Sequence, residues 1–326
     1  MTTLATRRAL LLGAGATATA AGLPGIAAAK APMAKTQAPG FYRFKIGDFQ
    51  ATVVSDGPLN LGPPSGEVFK DVSREDMTRA LTANYLPADA VALEQNALVV
   101  NTGGRLVLFD TGTGPTVKAF GPDAGRLPTN LKAAGIDPRQ IDAIAITHAH
   151  PDHCFGLMGD RNRRNFPNAQ IYLAQADLDF WTDESKATND MFKMMIGGAR
   201  AQLLPNRDRI VFVKDGQDIV PGIRAMATPG HTVGHMAYMI TSQGQSLCNI
   251  GDAAHHHVIS MERPRAEFAF DTDGKQAVAS RLRLFDMLSS SRTQLIAYHF
   301  PWPGIGYIAR QPIGYRYYPA AMRMVL

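Results

Sequence analysis

The stretch Thr147-His148-Ala149-His150-Pro151-Asp152-His153 places three imidazoles and one carboxylate within six residues. The apolar, alternating run from Ile141 to Ile146 directly before it predicts a strand that enters a core. A loop at the end of a strand can direct alternate side chains to one place, and zinc prefers imidazole nitrogen and carboxylate oxygen as ligands. The stretch therefore predicts a metal site. A solvated polar loop is the alternative, but it does not explain why residues that are rare elsewhere lie so close together.

The composition is that of a globular chain and gives little support to nucleic-acid binding. The 326 residues are 45% hydrophobic, enough for a sizeable core, and their net charge is +5. Basic residues are scattered among acidic ones, so we expect no nucleic-acid partner. Only Cys154 and Cys248 are present, so no disulfide framework is expected. Cys154 adjoins the histidines and could be a ligand, but a buried free thiol is the favoured interpretation.

The first residues have a composition of their own. Arg7 and Arg8 precede a weakly apolar stretch that ends at Ala27-Ala28-Ala29, a pattern typical of a twin-arginine export signal. We predict a signal over residues 1–29, a linker over residues 30–40 and one hydrolase domain over residues 41–326. The protein is then periplasmic or secreted, without stable membrane insertion. A disordered or anchoring N-terminus is the alternative.

Apolar periodicity predicts an α/β fold in which clusters of strands alternate with helices. The predicted strands are 41–46, 49–55, 96–100, 105–109, 141–146, 169–173, 210–213, 223–226, 236–240, 246–250 and 294–298. The predicted helices are 72–81, 125–135, 176–204 and 274–288. Because the pattern occurs twice, we expect two similar sheet-plus-helix halves packed sheet to sheet, in four layers.

Further candidate ligands follow other predicted strands. His231 follows a Pro-Gly turn, Asp252 follows Ile250-Gly251, and His299 follows the last predicted strand. A catalytic zinc takes about three protein ligands, so seven candidates fit two ions better than one, with Asp252 bridging them. The seven are His148, His150, Asp152, His153, His231, Asp252 and His299.

This set of residues closely resembles the metallo-β-lactamase superfamily, whose hallmark HxHxDH loop matches residues 148–153. The resemblance covers nearly the whole chain after the signal and implies a four-layered αβ/βα sandwich. It implies that His148, His150 and His231 hold one zinc ion. It also implies that Asp152, His153 and His299 hold the other. Within the superfamily the chain is similar to the methyl parathion hydrolase and lactonase group, which implies a homodimer.

Further residues are predicted to line the substrate pocket or to support the ligands. The resemblance places Phe120, Trp181 and Phe192 among pocket aromatics, although core packing is the alternative for each. It places Asp110, in the Asp-Thr-Gly turn, behind the ligands. His235 is either an outer partner of a ligand or a structural residue. The tract from His255 to His257 could reach the pocket, with His257 as a candidate lining residue, or form a solvated or partly packed tract.

The predicted function is a dinuclear-zinc hydrolase. A metal-bridging hydroxide would attack the carbonyl of a lactone or hydrophobic ester, or the phosphorus of a phosphotriester, while Asp252 or Asp152 relays a proton. If the histidine tract lines the pocket, a polar lactone or ester is favoured over a phosphotriester. The alternatives are a thioester hydrolase of the glyoxalase-II type and a non-catalytic metal-binding or sensor module. Manganese, iron or cobalt could replace zinc.

Overall fold

The computed structural model describes residue 33, residues 37–114 and residues 121–326, and two seven-stranded sheets dominate this part of the chain. A compact unit extends from Ala38 to Leu326. The strands are β1 (Phe41–Ile46), β2 (Phe49–Ser55), β3 (Leu59–Asn60), β4 (Ala92–Leu93), β5 (Asn96–Asn101), β6 (Leu106–Phe109), β7 (Ala143–Ala145), β8 (Met158–Gly159), β9 (Arg163–Arg164), β10 (Gln170–Leu173), β11 (Ile210–Phe212), β12 (Asp218–Val220), β13 (Ile223–Ala227), β14 (Met236–Ser242), β15 (Gln245–Asn249), β16 (Gln294–Ile296), β17 (Ile305–Arg310) and β18 (Tyr315–Pro319). The predicted export signal and part of the predicted linker lie outside the described residues, so both remain predictions.

The first sheet has the order β1-β2-β5-β6-β7-β10-β11, and the second runs from β12 to β18 in chain order. In the first sheet β6, β7, β10 and β11 are parallel, and in the second β15 and β16 are parallel. Parallel strands bring their carboxyl ends to one edge of a sheet, which is where open α/β sheets place their ligands. Strands β12, β17 and β18 were not predicted, because they are short or carry exposed aromatic and basic residues.

Seven α-helices lie in the described residues, and polar side chains cap the first turns of three of them. The helices are α1 (Arg74–Ala83), α2 (Leu127–Ala133), α3 (Pro151–Cys154), α4 (Gln175–Thr182), α5 (Asp190–Leu203), α6 (Ile259–Glu262) and α7 (Gly274–Ser291). Ser73, Asn189 and Asp273 each accept a hydrogen bond from a backbone N–H of the first turn of α1, α5 and α7. Of the helices in the described part, none combines the length and the apolarity needed to cross a membrane.

One predicted helix, over residues 176–204, is wrong in extent because the chain forms α4 and α5 instead. The polar residues between them favour turns: Asp183 accepts a hydrogen bond from the Ser185 N–H, and Asn189 accepts one from the Phe192 N–H. The break matters for function, because it turns α5 so that its first residues reach the cleft described below.

The two sheets pack face to face, and helices cover their outer faces. In β5, Leu98 and Val100 point into the core between the sheets, whereas Val99 points to the helix-covered side. The other face of the second sheet packs against α7 through Leu284 and Phe285. The order helix, sheet, sheet, helix confirms the predicted four-layered αβ/βα sandwich.

Two adjacent glycines of α5 offer a matched test of its packing. A Cβ atom on Gly198 would lie 2.1 Å from Cζ of Phe155, whereas one on Gly197 would meet nothing within 4 Å. We expect Gly198→Ala to lower the free energy of unfolding by about 1–3 kcal/mol, because the core is already filled. Gly197→Ala should raise it by about 0.5–1 kcal/mol, because alanine restricts the unfolded chain. Urea unfolding of both variants measures this, and equal effects would contradict the contact with Phe155.

Candidate metal centre

All seven predicted ligands lie at one edge of the sandwich and are buried. Residues 148–153 follow β7 and form α3, whereas the others follow strands of the second sheet. Among the described residues, four sets of three side chains have ligand atoms within 4.8 Å of one another. These sets are His148 with His150 and His231, His148 with His153 and Asp252, Asp152 with His153 and His299, and His231 with Asp252 and His255.

The first histidine group consists of His148, His150 and His231, and their rings are held from behind. Nδ1 of His231 lies 2.9 Å from Oδ1 of Asp271, and Nδ1 of His148 lies 3.0 Å from the Thr147 hydroxyl. The two rings of His148 and His150 meet edge to face, with centroids 4.6 Å apart. These contacts leave the Nε2 atoms of the group free to face a common point.

The second group consists of Asp152, His153 and His299. Nδ1 of His153 lies 3.0 Å from Oδ2 of Asp110, and Nδ1 of His299 lies 2.7 Å from the carbonyl oxygen of Glu94. Each imidazole therefore directs its Nε2 atom forward, and Nε2 of His299 lies 3.3 Å from Oδ2 of Asp152.

Asp110 contacts the backbone of the histidine loop as well as the His153 ring, in agreement with its predicted place behind the candidate ligands. Its Oδ1 accepts the Thr147 N–H at 2.8 Å, and the Thr147 hydroxyl lies 2.9 Å from Oδ2. The residue adopts a left-handed backbone conformation with φ of 61°, which is unusual outside glycine and tends to mark functional sites.

Asp252 lies between the two groups. Its Oδ2 is 3.4 Å from Nε2 of His231 and 3.1 Å from Nε2 of His299, and its Oδ1 is 3.3 Å from Nε2 of His153. Its backbone N–H donates a 2.9 Å hydrogen bond to Nε2 of His235. His235 therefore contacts the backbone of Asp252, a candidate ligand, and does not face the centre.

A metal fits these residues because their inward atoms have no other partner. Among the described residues, six buried polar atoms at the centre lack a hydrogen bond: Nε2 of His148, His150, His153, His231 and His255, and Oδ1 of Asp252. Leaving one buried polar atom unpaired costs about 1–3 kcal/mol, so native proteins rarely tolerate several together. A divalent ion that accepts imidazole and carboxylate ligands would satisfy them at once.

The electrostatic environment differs between the two groups. Burial, together with neighbouring imidazoles, lowers the pKa of His148 and of His150 well below the usual range, so both are neutral. Burial acts in the same direction at His153 and His299, but carboxylates outweigh it: the pKa of His153 is raised well above normal and that of His299 to about 10. Histidines outweigh burial at Asp252 and hold its pKa well below normal. The centre thus combines neutral nitrogen donors with carboxylates that favour positive charge nearby.

The family model described as the metallo-beta-lactamase superfamily matches residues 90–292. The chain belongs to the metallo-β-lactamase superfamily. The resemblance in the HxHxDH loop is thereby confirmed, and with it membership of a superfamily of metal-dependent hydrolases.

Solved superfamily structures with the same fold cover most of the chain. The dizinc quorum-quenching lactonase AidC, in complex with the product N-hexanoyl-L-homoserine, superposes with a TM-score of 0.82 at 26% identity, covering 87% of this chain and 98% of AidC. The hydrolase AbOPH of the beta-lactamase superfamily superposes with a TM-score of 0.81 at 32% identity, covering 88% of this chain and 100% of AbOPH.

Curated superfamily relatives match shorter segments. An N-acyl homoserine lactonase of Bacillus sp is 26% identical over 169 residues, which is 51% of this chain and 59% of the lactonase. Ribonuclease Z of Salinibacter ruber is 37% identical over 78 residues, which is 24% of this chain and 20% of the nuclease. The chain therefore spans less than two thirds of the length of these relatives.

His255 also lies at the centre, and the sequence did not single it out within the tract from His255 to His257. Its Nε2 lies 3.5 Å from Oδ2 of Asp252, and its ring stacks on Phe268 with centroids 3.7 Å apart. Its side chain is buried and lines the cleft above the metal ligands. A histidine three residues after Asp252 was the available signal, but the run of three histidines concealed which one faces inward.

The other two residues of that tract point elsewhere. Nδ1 of His256 accepts the N–H groups of Val258 and Ile259 at 3.2 Å and so caps the start of α6. His257 lines a separate cavity, so its prediction as a residue of the substrate pocket is wrong. His255 and His256 are both buried, so of the two forms expected for the tract, solvated or partly packed, the structure has the packed one.

The cleft at the centre has a volume of about 280 Å³ and an apolar wall. Three methionines at the start of α5 line it opposite leucines of the β3–β4 segment. The apolar lining residues are Leu59, Leu61, Leu93, Met191, Met194, Met195, Phe268 and Phe270. Met191 and Met194 are 39% and 42% exposed, so both side chains are accessible at the cleft.

The aromatic residues predicted for the pocket lie elsewhere or are not described. Trp181 is 1% exposed, meets His150 edge to face and stacks on Phe192 at 5.7 Å, so both support the histidine loop from behind. Core packing is therefore the role that the structure gives to Trp181 and Phe192. Phe120 lies outside the described residues. Cys154 and Cys248 are buried free thiols whose pKa is raised by burial, the latter to about 12.

Proposed function

We propose that this protein is a dinuclear-zinc hydrolase that opens lactones or cleaves hydrophobic esters. The observation that carries the proposal is the position of Asp252 between the two groups. Its Oδ2 lies within 3.5 Å of His231 and of His299, which belong to different groups, and its Oδ1 lies 3.3 Å from His153. A carboxylate in that position can serve two ions. The dizinc lactonase among the structural neighbours supports the same assignment.

Each group would hold one ion, with Asp252 shared. The first group, His148, His150 and His231, presents three imidazole nitrogens. The second group presents two imidazole nitrogens and one carboxylate. Bound divalent ions would supply Lewis acidity and lower the pKa of a water molecule, so that a nucleophile is available near neutral pH.

Two carboxylates and one histidine of this chain would carry the remaining steps. Asp152 is 8% exposed and lines the cleft, so its Oδ2 can accept a proton at the reaction centre and return it to the leaving alkoxide. Asp252 can do the same from the deeper side. His255 presents Nε2 to the cleft beside Asp252 and can donate a hydrogen bond to a substrate oxygen.

The shape of the cleft indicates the substrate. A polar floor of ligands lies beneath an apolar wall of leucine, methionine and phenylalanine, so an amphipathic molecule would place its carbonyl on the floor and its tail along the wall. His255 makes the floor more polar, which favours a lactone or ester carbonyl over a neutral phosphotriester.

The test is a substrate panel with protein of known metal content. Zinc-reconstituted protein is assayed with acyl lactones, aryl esters, thioesters and phosphotriesters after metal analysis by mass spectrometry. We expect two zinc ions per chain and the highest kcat/KM for lactones. Two bound zinc ions without hydrolysis of any substrate would favour the binding-module alternative, and a preference for thioesters would favour the glyoxalase-II type.

Because methionines line the cleft, we expect kcat/KM to depend on the length of the acyl chain of the lactone. Replacing Met191 and Met194 together with serine should lower kcat/KM for a ten-carbon acyl lactone about tenfold, since roughly 1–2 kcal/mol of apolar contact is lost. A four-carbon lactone, too short to reach them, should change less than about twofold by the same argument. Met324→Ser, at a methionine that is 98% exposed outside the cleft, is the control. An equal loss for both lactones would show that the methionines do not contact the tail.

A further inference from the structure

A single buried carboxylate connects the two loops that carry the first histidine group. Asp177, in the first turn of α4, is fully buried. Its Oδ2 accepts the Ala149 N–H at 2.7 Å, and its Oδ1 accepts the Gly234 N–H at 2.7 Å. Ala149 lies between the two histidines of the first loop, and Gly234 comes three residues after His231. Each carboxylate oxygen of Asp177 therefore binds a backbone N–H that is near candidate ligands in the sequence. The two N–H groups lie in loops that follow strands of different sheets.

The backbone of Gly234 packs so closely against the start of α4 that only glycine fits at this position. A Cβ atom at this position would lie 2.8 Å from Cβ of Ala174 and 3.0 Å from Cβ of Asp177. The loop therefore lies directly on the first turn of α4, with no room for any side chain. Because aspartate is short and its two oxygens are rigidly spaced, the carboxylate fixes both loops to the same helix.

We propose that Asp177 is a positioning residue that sets the spacing between the loop of His148 and His150 and the loop of His231. In this role it brings three Nε2 atoms from two loops to one ion without contacting the ion itself. The inference rests on the proposed function, because it concerns the same metal centre. A purely structural carboxylate would stabilise the fold without a selective effect on either metal site.

The direct test is Asp177→Asn. The amide has nearly the same shape but only one acceptor oxygen, so one backbone N–H loses its partner and faces an NH₂ group. We expect the affinity for one of the two zinc ions to fall about 10- to 100-fold, the range found when an outer partner of a ligand is removed. The affinity is measured by competition with a chromophoric chelator, without any activity assay.

The matched control is Asp142→Asn. Asp142 also accepts a backbone N–H, that of Leu106 at 2.7 Å, but at the opposite end of β7 from the histidine loop. Both zinc affinities should remain within about twofold of the wild type in this variant, since no ligand loop is touched. An equal loss in the two variants would reduce the effect of Asp177 to general stability and overturn the inference.

Double variants identify the ion concerned. In a His231→Ala background, which removes one ligand of the first group, Asp177→Asn should have little further effect on zinc affinity. In a His299→Ala background, which damages only the second group, the full effect of Asp177→Asn should persist. Full additivity with His231→Ala would overturn the proposed role.

Failure of the inference is distinguishable from failure of the proposed function. Wild-type protein that binds no zinc would contradict the proposed function, whereas wild-type affinity in folded Asp177→Asn would contradict only the inference. If circular dichroism shows that Asp177→Asn is unfolded, Gly234→Ala takes its place. That variant keeps the carboxylate but pushes the loop away from α4, so it should show the same selective loss, and unchanged affinity would overturn the inference.

Discussion

Replacing Asp252 with alanine is expected to abolish hydrolysis and to remove at least one of the two proposed metal ions. The carboxylate lies between the two groups, and no other carboxylate of the described residues lies within 3.5 Å of histidines from both. Without it each ion loses a ligand, and the neighbouring imidazoles lose the negative charge that compensates them. We expect kcat to fall by at least about 10³-fold, because the ions that Asp252 would hold are expected to supply the nucleophile and the electrostatic stabilisation of the transition state.

The measurement combines metal analysis with steady-state kinetics on the best lactone of the panel. Asp218→Ala is the control, because that carboxylate is exposed and pairs with Arg224 on the surface of the second sheet. If Asp252→Ala still binds two ions per chain, the bridging role is wrong, whatever the loss in turnover.

Removing metal with a chelator is the second change with a large expected effect. Five buried Nε2 atoms at the centre have no hydrogen-bond partner among the described residues, so ions that satisfy them would bind the folded chain far better than the unfolded one. With free zinc at about 1,000 times its Kd, the folded state gains about 4 kcal/mol, which corresponds to a Tm higher by roughly 10 °C.

Differential scanning calorimetry with and without a chelator measures this shift. Re-addition of zinc should restore the original Tm, and a variant that lacks both His153 and His231 should respond little to the chelator. A chelator-treated wild type with unchanged Tm would mean that the cluster contributes nothing to stability when it binds metal.

The sequence predicted the ligands because their chemistry is concentrated at strand ends. His231, Asp252 and His299 each follow an apolar run, and parallel strands bring such ends together. The four-layered fold followed from the same periodicity. His255 was missed because its neighbours are also histidines, and only the start of α6 decides which ring turns inward.

The cleft wall could not be predicted, because it depends on contacts between distant segments. Leu59 and Leu61 lie in a stretch rich in proline and glycine that was predicted as a loop, and the methionines reach the cleft only because α4 and α5 separate. Asp177 is similar: it acts on backbone groups 28 and 57 residues away, and no local pattern marks it.

The division of ligands between the sheets has a consequence for how the chain is held together. Residues 148–153 come from the first sheet, whereas His231, Asp252 and His299 come from the second. Each of the two groups that would bind an ion draws on both halves of the chain. A bound ion is then a reversible cross-link between the halves, and it recognises only a chain in which they have already docked. The availability of metal would therefore set the rate at which the two halves separate. That rate determines the kinetic stability of the protein, which is its lifetime in the folded state.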